Sequence, residues 1–215
     1  AKWVKAHPDA SQAELELARE WLERVRPVAR GDDALWLDWD RVLILRRLGD
    51  FRLAAECISS VLKAKRNEFW GWAEAARLYV ADQPDLAKAC FCRALECGAE
   101  PKFTVNVHRE LAELLAHQQD FGQASREILQ AIEIREREGW GIDATLQHLI
   151  ESAWYDPVAD GSEAPKTFYA QHSSDALVLC FDHVETCSAT YLGLLIPHTP
   201  KDPPAGWKAR PLARF

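Results

Sequence analysis

Cysteines and histidines are the residues in this sequence with the widest chemical range, and three cysteines stand close together as Cys90-x-Cys92-x4-Cys97. At about 100° per residue on a helix, Cys90 and Cys97 share a face, whereas Cys92 projects roughly 140° from Cys97. Three thiolates so placed cannot converge on a metal, and the expected role is that of small apolar side chains in helix packing. Cys57 takes the same role one segment earlier. Cys180, His183 and Cys187 form a Cys-x2-His-x3-Cys group to which His172 or His198 could add a fourth ligand, but structural zinc sites show tighter paired knuckles, so no metal is expected. His7, His108, His117 and His148 have no serine, cysteine or acid at an instructive spacing. No glycine-rich phosphate loop, Gly-x-Ser-x-Gly or His-Glu-x-x-His occurs, which points away from an enzyme and from a cofactor.

The 215 residues are 48% apolar and 27% charged, with a net charge of -7. Such a composition suits one globular domain or slightly more, and no apolar run is long enough to span a bilayer. The acidic balance argues against a surface that tracks phosphates along its whole length. The N-terminal Ala-Lys-Trp-Val-Lys lacks the apolar core of a secretory signal, and the cysteines do not form a small disulfide framework. A reducing, cytoplasmic setting is expected. The absence of methionine and the ending in Lys-Ala-Arg-Pro-Leu-Ala-Arg-Phe read as a piece of a longer polypeptide.

The elements that would position any site come from a repeat. When Gly49-Asp50-Phe51, Gln83-Pro84-Asp85 and Gln119-Asp120-Phe121 are aligned, small residues recur at Ala54, Ala87 and Ala124, with spacings of 33 and 37. A large apolar residue follows four positions later (Ile58, Phe91, Ile128), and a smaller one three further on (Val61, Ala94, Ala131). One helix face is thus written three times: a small residue lets two helices cross closely while its neighbours fill the flanks. Apolar-periodic stretches Leu35–Leu48, Phe69–Val80 and Val105–His117 precede the turns. The pattern predicts an α-solenoid of antiparallel helix pairs.

The residues Gly49-Asp50-Phe51, Ala54 and Ile58, then Ala75, Leu78, Ala87, Phe91, Ala94 and Pro101, then Leu111, Ala112, Leu115, Phe121, Ala124 and Ala131 resemble the tetratricopeptide repeat family over residues 35–138. Val42 departs from the family's small residue, Pro84 replaces the turn aromatic, and extra residues join repeats two and three. The resemblance implies that the first helix of each pair lines a concave groove. Carried over position by position, it places Trp36, Trp39, Leu43 and Arg46 there from repeat one, Phe69, Trp72, Ala76 and Tyr79 from repeat two, and Asn106, Arg109, Glu113 and Ala116 from repeat three. Of these, Trp36, Trp39, Arg46, Phe69, Trp72, Tyr79, Asn106 and Arg109 are the candidate binding residues, because aromatics and arginine dominate interface energetics. Each aromatic could equally fill space between helices. The family's clamp for a peptide carboxylate is not reproduced, since Ala73 and Glu110 stand at its positions.

Flanking helices are expected over Ser11–Val28, with Ser11 and Glu14 as a capping box, and over Gly141–Trp154. The helical repeat domain is assigned to residues 1–155, a linker to 156–166, and the start of a further domain to 167–215. Thr167–Phe181 favours a helix, although Ala176–Phe181 would also suit a buried strand. Thr186–Ile196 and Trp207–Phe215 read as a β-hairpin or the start of a small β-domain. The expected fold class is therefore mainly α, a tetratricopeptide-like solenoid followed by a β-hairpin. The expected function is a scaffold that binds a protein or peptide partner, which another domain of the same polypeptide could supply. The alternative is a nucleic-acid-associated factor whose C-terminal β-region, of oligonucleotide-binding or cold-shock type, continues beyond Phe215.

Overall fold

In the computed structural model, residues 2–158 and 164–180 are described. After a short α1 (Lys2–Ala6), α2 runs from Gln12 to Val25 with Ser11 as N-cap and the full capping box to Glu14. It stops short of the expected Val28 because Pro27 lacks the N–H that would continue the ladder. Three helical hairpins follow: α3 (Gly31–Arg47) with α4 (Phe51–Ala64), α5 (Phe69–Tyr79) with α6 (Pro84–Glu96), and α7 (Pro101–His117) with α8 (Phe121–Arg137). Packing is heaviest within these pairs and lighter between α4 and α5 or α6 and α7. Pro101, read above as the close of repeat two, instead occupies the first turn of α7, where its missing N–H costs nothing.

The turns of hairpins one and three share one construction. Gly49 (φ +80) and Gln119 (φ +64) both adopt the left-handed conformation. Each is followed by an N–H that reaches back to the preceding helix, Asp50 to the Leu45 carbonyl and Asp120 to that of Leu115, both at 2.9 Å. The same aspartates cap the next helix, accepting from the Leu53 and Gln123 N–H groups at 3.2 and 3.3 Å. One residue therefore ends a helix and starts another.

Ala54, Ala87 and Ala124 are all fully buried, as are Ile58, Ile128, Val61, Ala94 and Ala131, with Phe91 nearly so. The aligned face is the packed face in all three hairpins. Ala144–Ile150 forms α9, shorter than the expected Gly141–Trp154, because the Asp143 side chain accepts from the Leu146 N–H at 2.9 Å and sets the start.

The combination of a solenoid with a β-hairpin is corrected to a mainly α architecture: among the described residues there is no strand. Pro165–Ser173 forms α10, and Ser174–Cys180, the stretch that overlaps the alternative strand, winds into 3-10 turns with Ala176 and Cys180 buried. These turns are held where Ser59 donates to the Leu179 carbonyl at 2.7 Å. Both segments pack back on α6, and the 3-10 turns also touch α4. The expected hairpin segments Thr186–Ile196 and Trp207–Phe215, with His183, Cys187 and His198, lie outside the described residues. Among the described residues no helix is long and apolar enough to cross a membrane.

Candidate protein-binding face

α3, α5 and α7 are the first helices of the three hairpins, and their starting ends carry aromatic residues side by side. Trp36 stacks on Trp70 with ring centroids 5.8 Å apart, and Trp39 meets the same Trp70 edge-on at 4.4 Å. Phe69, next to Trp70, stacks on Phe103 at 6.5 Å. The rings thus form a strip that crosses all three hairpins. Trp36 is 41% and Phe103 56% exposed, so its two outer members reach solvent. The Lys65 ammonium lies 5.9 Å from the Trp36 ring and that of Lys102 5.0 Å from Phe103, which places a cation against each end.

Further along the same helices runs a chain of ion pairs. Arg46 of α3 donates to Glu74 of α5, and Arg77 donates to the other oxygen of Glu74 at 3.0 Å. Arg77 then makes two bonds to Glu110 of α7, at 2.8 and 3.2 Å. Arg109 lies 3.5 Å from Glu110 and 3.1 Å from Glu113. Three arginines balance three glutamates, and each charge on the ladder has a partner of opposite sign. Burial alone would lower the Arg77 pKa, but Glu110 and Glu74 outweigh it and raise it above its ordinary value. Glu113 is pushed up by burial and by Glu110, against the pull of Arg109.

The candidate residues therefore separate. Trp36, Phe69, Tyr79 and Asn106 retain exposed surface, and Arg46 and Arg109 are partly exposed but engaged by internal carboxylates. Trp39 is buried against Trp70. Trp72 is corrected from lining to core: it is 0% exposed, and its indole N–H donates to the Arg66 carbonyl at 2.8 Å. Trp70 and Phe103 were missed, as were Glu74, Arg77 and Glu110. Glu74 carried a signal, being the lone acid in the otherwise apolar or basic run Phe69–Tyr79.

A second polar cluster joins α7, α8 and α10. Glu127 is completely buried and accepts from the Tyr169 hydroxyl at 2.8 and 3.0 Å and from the His108 ring at Nδ1, at 2.8 Å. Burial, then the charge of Glu127, pushes the Tyr169 phenol well up. His108 thus has an acidic neighbour after all, supplied by the facing helix. Its sequence trace is that Glu127 lies on the repeat's packed face, between Ala124 and Ala131. His108 and Tyr169 line a cleft of about 910 Å³ together with Thr104, Arg93, Arg137 and Lys166.

Cys90 and Cys92 are buried, and burial raises both thiols; Cys97 is pushed up to about 11 by the same cause. Among the described residues no group of histidine, cysteine and carboxylate side chains is arranged to hold a metal ion.

The family model described as "Domain of unknown function (DUF7017)" matches residues 35–176, well over half of the chain. The chain belongs to the DUF7017 family. The matched span opens in α3 and closes in the 3-10 turns after α10, so the DUF7017 domain contains the three hairpins, the aromatic strip, the ion-pair ladder and the Glu127 cluster. Helices α1 and α2 precede it. No curated protein matches the sequence.

Proposed function

We propose that this DUF7017 domain is a protein-interaction module that takes an extended peptide or a partner helix across the starting ends of α3, α5 and α7. The observation that carries this reading is the aromatic strip Trp36–Trp70 and Phe69–Phe103, which spans three hairpins and keeps its outer rings exposed. Large flat side chains with few rotors bury much area at small entropic cost, and they are the usual anchors of interfaces. Lys65 and Lys102 beside the strip would meet acidic groups of the partner. The ladder supports the same reading indirectly: by tying α3 to α5 and α5 to α7 it holds the rings at fixed spacing before a partner arrives, which lowers the cost of binding.

In this reading the arginines position the face, the chain acts by binding and not by catalysis, and the setting is cytoplasmic. The paired helices and their buried small residues are compatible with the tetratricopeptide likeness. The test is capture by the immobilised full chain, with wild type against Trp36→Ala/Phe103→Ala. A partner retained by wild type and at least tenfold depleted by the variant, with the variant still melting cooperatively above the assay temperature, supports the reading. Undiminished capture by the variant sinks it.

A further inference from the structure

Helix α2 has more apolar surface than its neighbour covers. By the 100° rule Leu22, Ala18, Val25, Trp21 and Leu17 follow one another around an arc of about 140°. Only one edge of it is buried, where Leu15 and Leu22 pack with Ile44 of α3. Leu17 is 68% and Trp21 55% exposed. These two side chains do not stand alone on the surface: they form one wall of a groove of about 680 Å³ whose other wall is Leu37, Asp40 and Ile44 of α3, with Trp3 of α1 completing it. Leu37, Asp40 and Ile44 lie at i, i+3 and i+7, a helix ridge, so both walls offer the ridges and grooves that receive another helix.

The rim has a sign. Among the described lining residues, Glu14 and Glu20 stand on it against one cation, Arg24. Hydrogen bonds from Ser11 hold the Glu14 carboxyl below its ordinary value, so it is charged at neutral pH. A second copy of the chain seated on this groove by a two-fold axis would set these carboxylates against their own equivalents, which is repulsive.

We propose that the groove between α2 and α3 docks an amphipathic helix of a partner protein, one with an apolar stripe flanked by lysine or arginine. The stripe covers Leu17, Trp21, Leu37 and Ile44, and the flanking cations meet Glu14 and Glu20. This surface involves α1 and α2, ahead of the matched DUF7017 span, and is separate from the aromatic strip, so neither proposal depends on the other.

The experiment uses the full chain and three fluorescein-labelled 18-residue peptides: a leucine/lysine amphipathic helix, the same composition scrambled so that no stripe forms, and a leucine/glutamate helix with the stripe intact. Anisotropy titration is expected to show saturable binding of the first and at least tenfold weaker binding of the other two. Leu17→Glu and Trp21→Glu should each weaken the first at least tenfold with unchanged thermal melts, because both side chains are exposed. Glu20→Lys should weaken the leucine/lysine helix about threefold and strengthen the leucine/glutamate helix. Equal binding of the scrambled peptide, or undiminished binding by Leu17→Glu and Trp21→Glu, overturns the proposal. A wild-type dimer in sedimentation that Trp21→Glu dissolves also overturns it, since the occupant would then be a second copy.

Discussion

The guanidinium of Arg77 on α5 grips the carboxylate of Glu110 on α7 through two hydrogen bonds, Nε to Oε2 at 2.8 Å and Nη2 to Oε1 at 3.2 Å. Such a bidentate pair fixes orientation as well as distance, and here it sets how the second and third hairpins lie against each other. Through Glu74, which is almost wholly buried, the same arginine also joins the first hairpin. Arg77→Met keeps the stem's volume but leaves Glu74 facing Arg46 alone and Glu110 without its bidentate partner. Loss of one member of a buried pair typically costs about 3–5 kcal/mol. Urea denaturation should show a loss near the lower figure, because Glu110 is partly hydrated, while Glu110→Gln should cost less than Arg77→Met.

Trp72 and Trp36 share a helical face in the sequence pattern but differ in the structure. Trp72→Ala is expected to lower stability by about 3–5 kcal/mol, as for other enclosed tryptophans. Trp36→Ala, on a half-open surface, should cost about 1 kcal/mol or less. Thermal melts of the two variants separate core from candidate interface. Equal losses would contradict this assignment.

Tyr169 anchors α10 through Glu127. Tyr169→Phe removes one donor from a carboxylate that has no access to water, for a cost of about 1–3 kcal/mol. Amide exchange over residues 165–180 should accelerate more than that of α5 or α6, because α10 then separates locally before the hairpins unfold.

Gln119 holds a left-handed backbone conformation where hairpin one uses Gly49. That conformation costs a non-glycine residue roughly 1–2 kcal/mol, partly offset by the greater freedom of glycine in the unfolded chain. Gln119→Gly is therefore expected to stabilise by about 0.5–1 kcal/mol in urea titrations, whereas Gly49→Gln should destabilise by a similar amount.

Asp143 carries a pH dependence. The backbone N–H of Leu146, with Arg135 nearby, holds its carboxyl below the ordinary value. A depressed acid contributes stability that is present above its unfolded pKa of about 3.9 and is lost as pH falls through the lower folded value. Asp143→Ala should cost about 1 kcal/mol between pH 5 and 7, mainly as a lost helix cap, with the charge's share kept small by solvent. The difference from wild type should shrink only below about pH 4.

Much of the architecture was legible in the residues because it rests on local rules. The small–large–small face at Ala54, Ile58 and Val61 and its two copies specify helix pairs at a known repeat. Ser11 with Glu14, and Asp50 and Asp120 after their left-handed residues, mark helix starts through bonds to N–H groups three residues away. The lack of a long apolar run predicted no membrane-spanning helix, and none occurs among the described residues. The β-hairpin reading rested on β-branched and aromatic content beyond Cys180. Within the described residues the adjoining Ser174–Cys180 became 3-10 turns, because burial of Ala176 and Cys180 against the hairpins decides conformation where intrinsic preference is weak.

What only the tertiary structure decided was the pairing of groups far apart in the chain. Arg46 with Glu74, Arg77 with Glu110, Phe69 with Phe103, and His108 with Glu127 and Tyr169 all meet across helices. Phe69 and Phe103 are 34 residues apart and Arg77 and Glu110 33, close to the repeat spacing, but the period alone does not say which side chains on neighbouring hairpins touch. The repeat shows which face of each helix turns inward, but not the rotation and offset between neighbouring hairpins, and those few ångströms determine whether an arginine meets a carboxylate or solvent. For the same reason Trp72 and Trp36, both assigned to the groove by the pattern, became core and surface: α5 has a hairpin on both sides, whereas Trp36 at the starting end of α3 stacks on Trp70 and leaves 41% of its surface exposed.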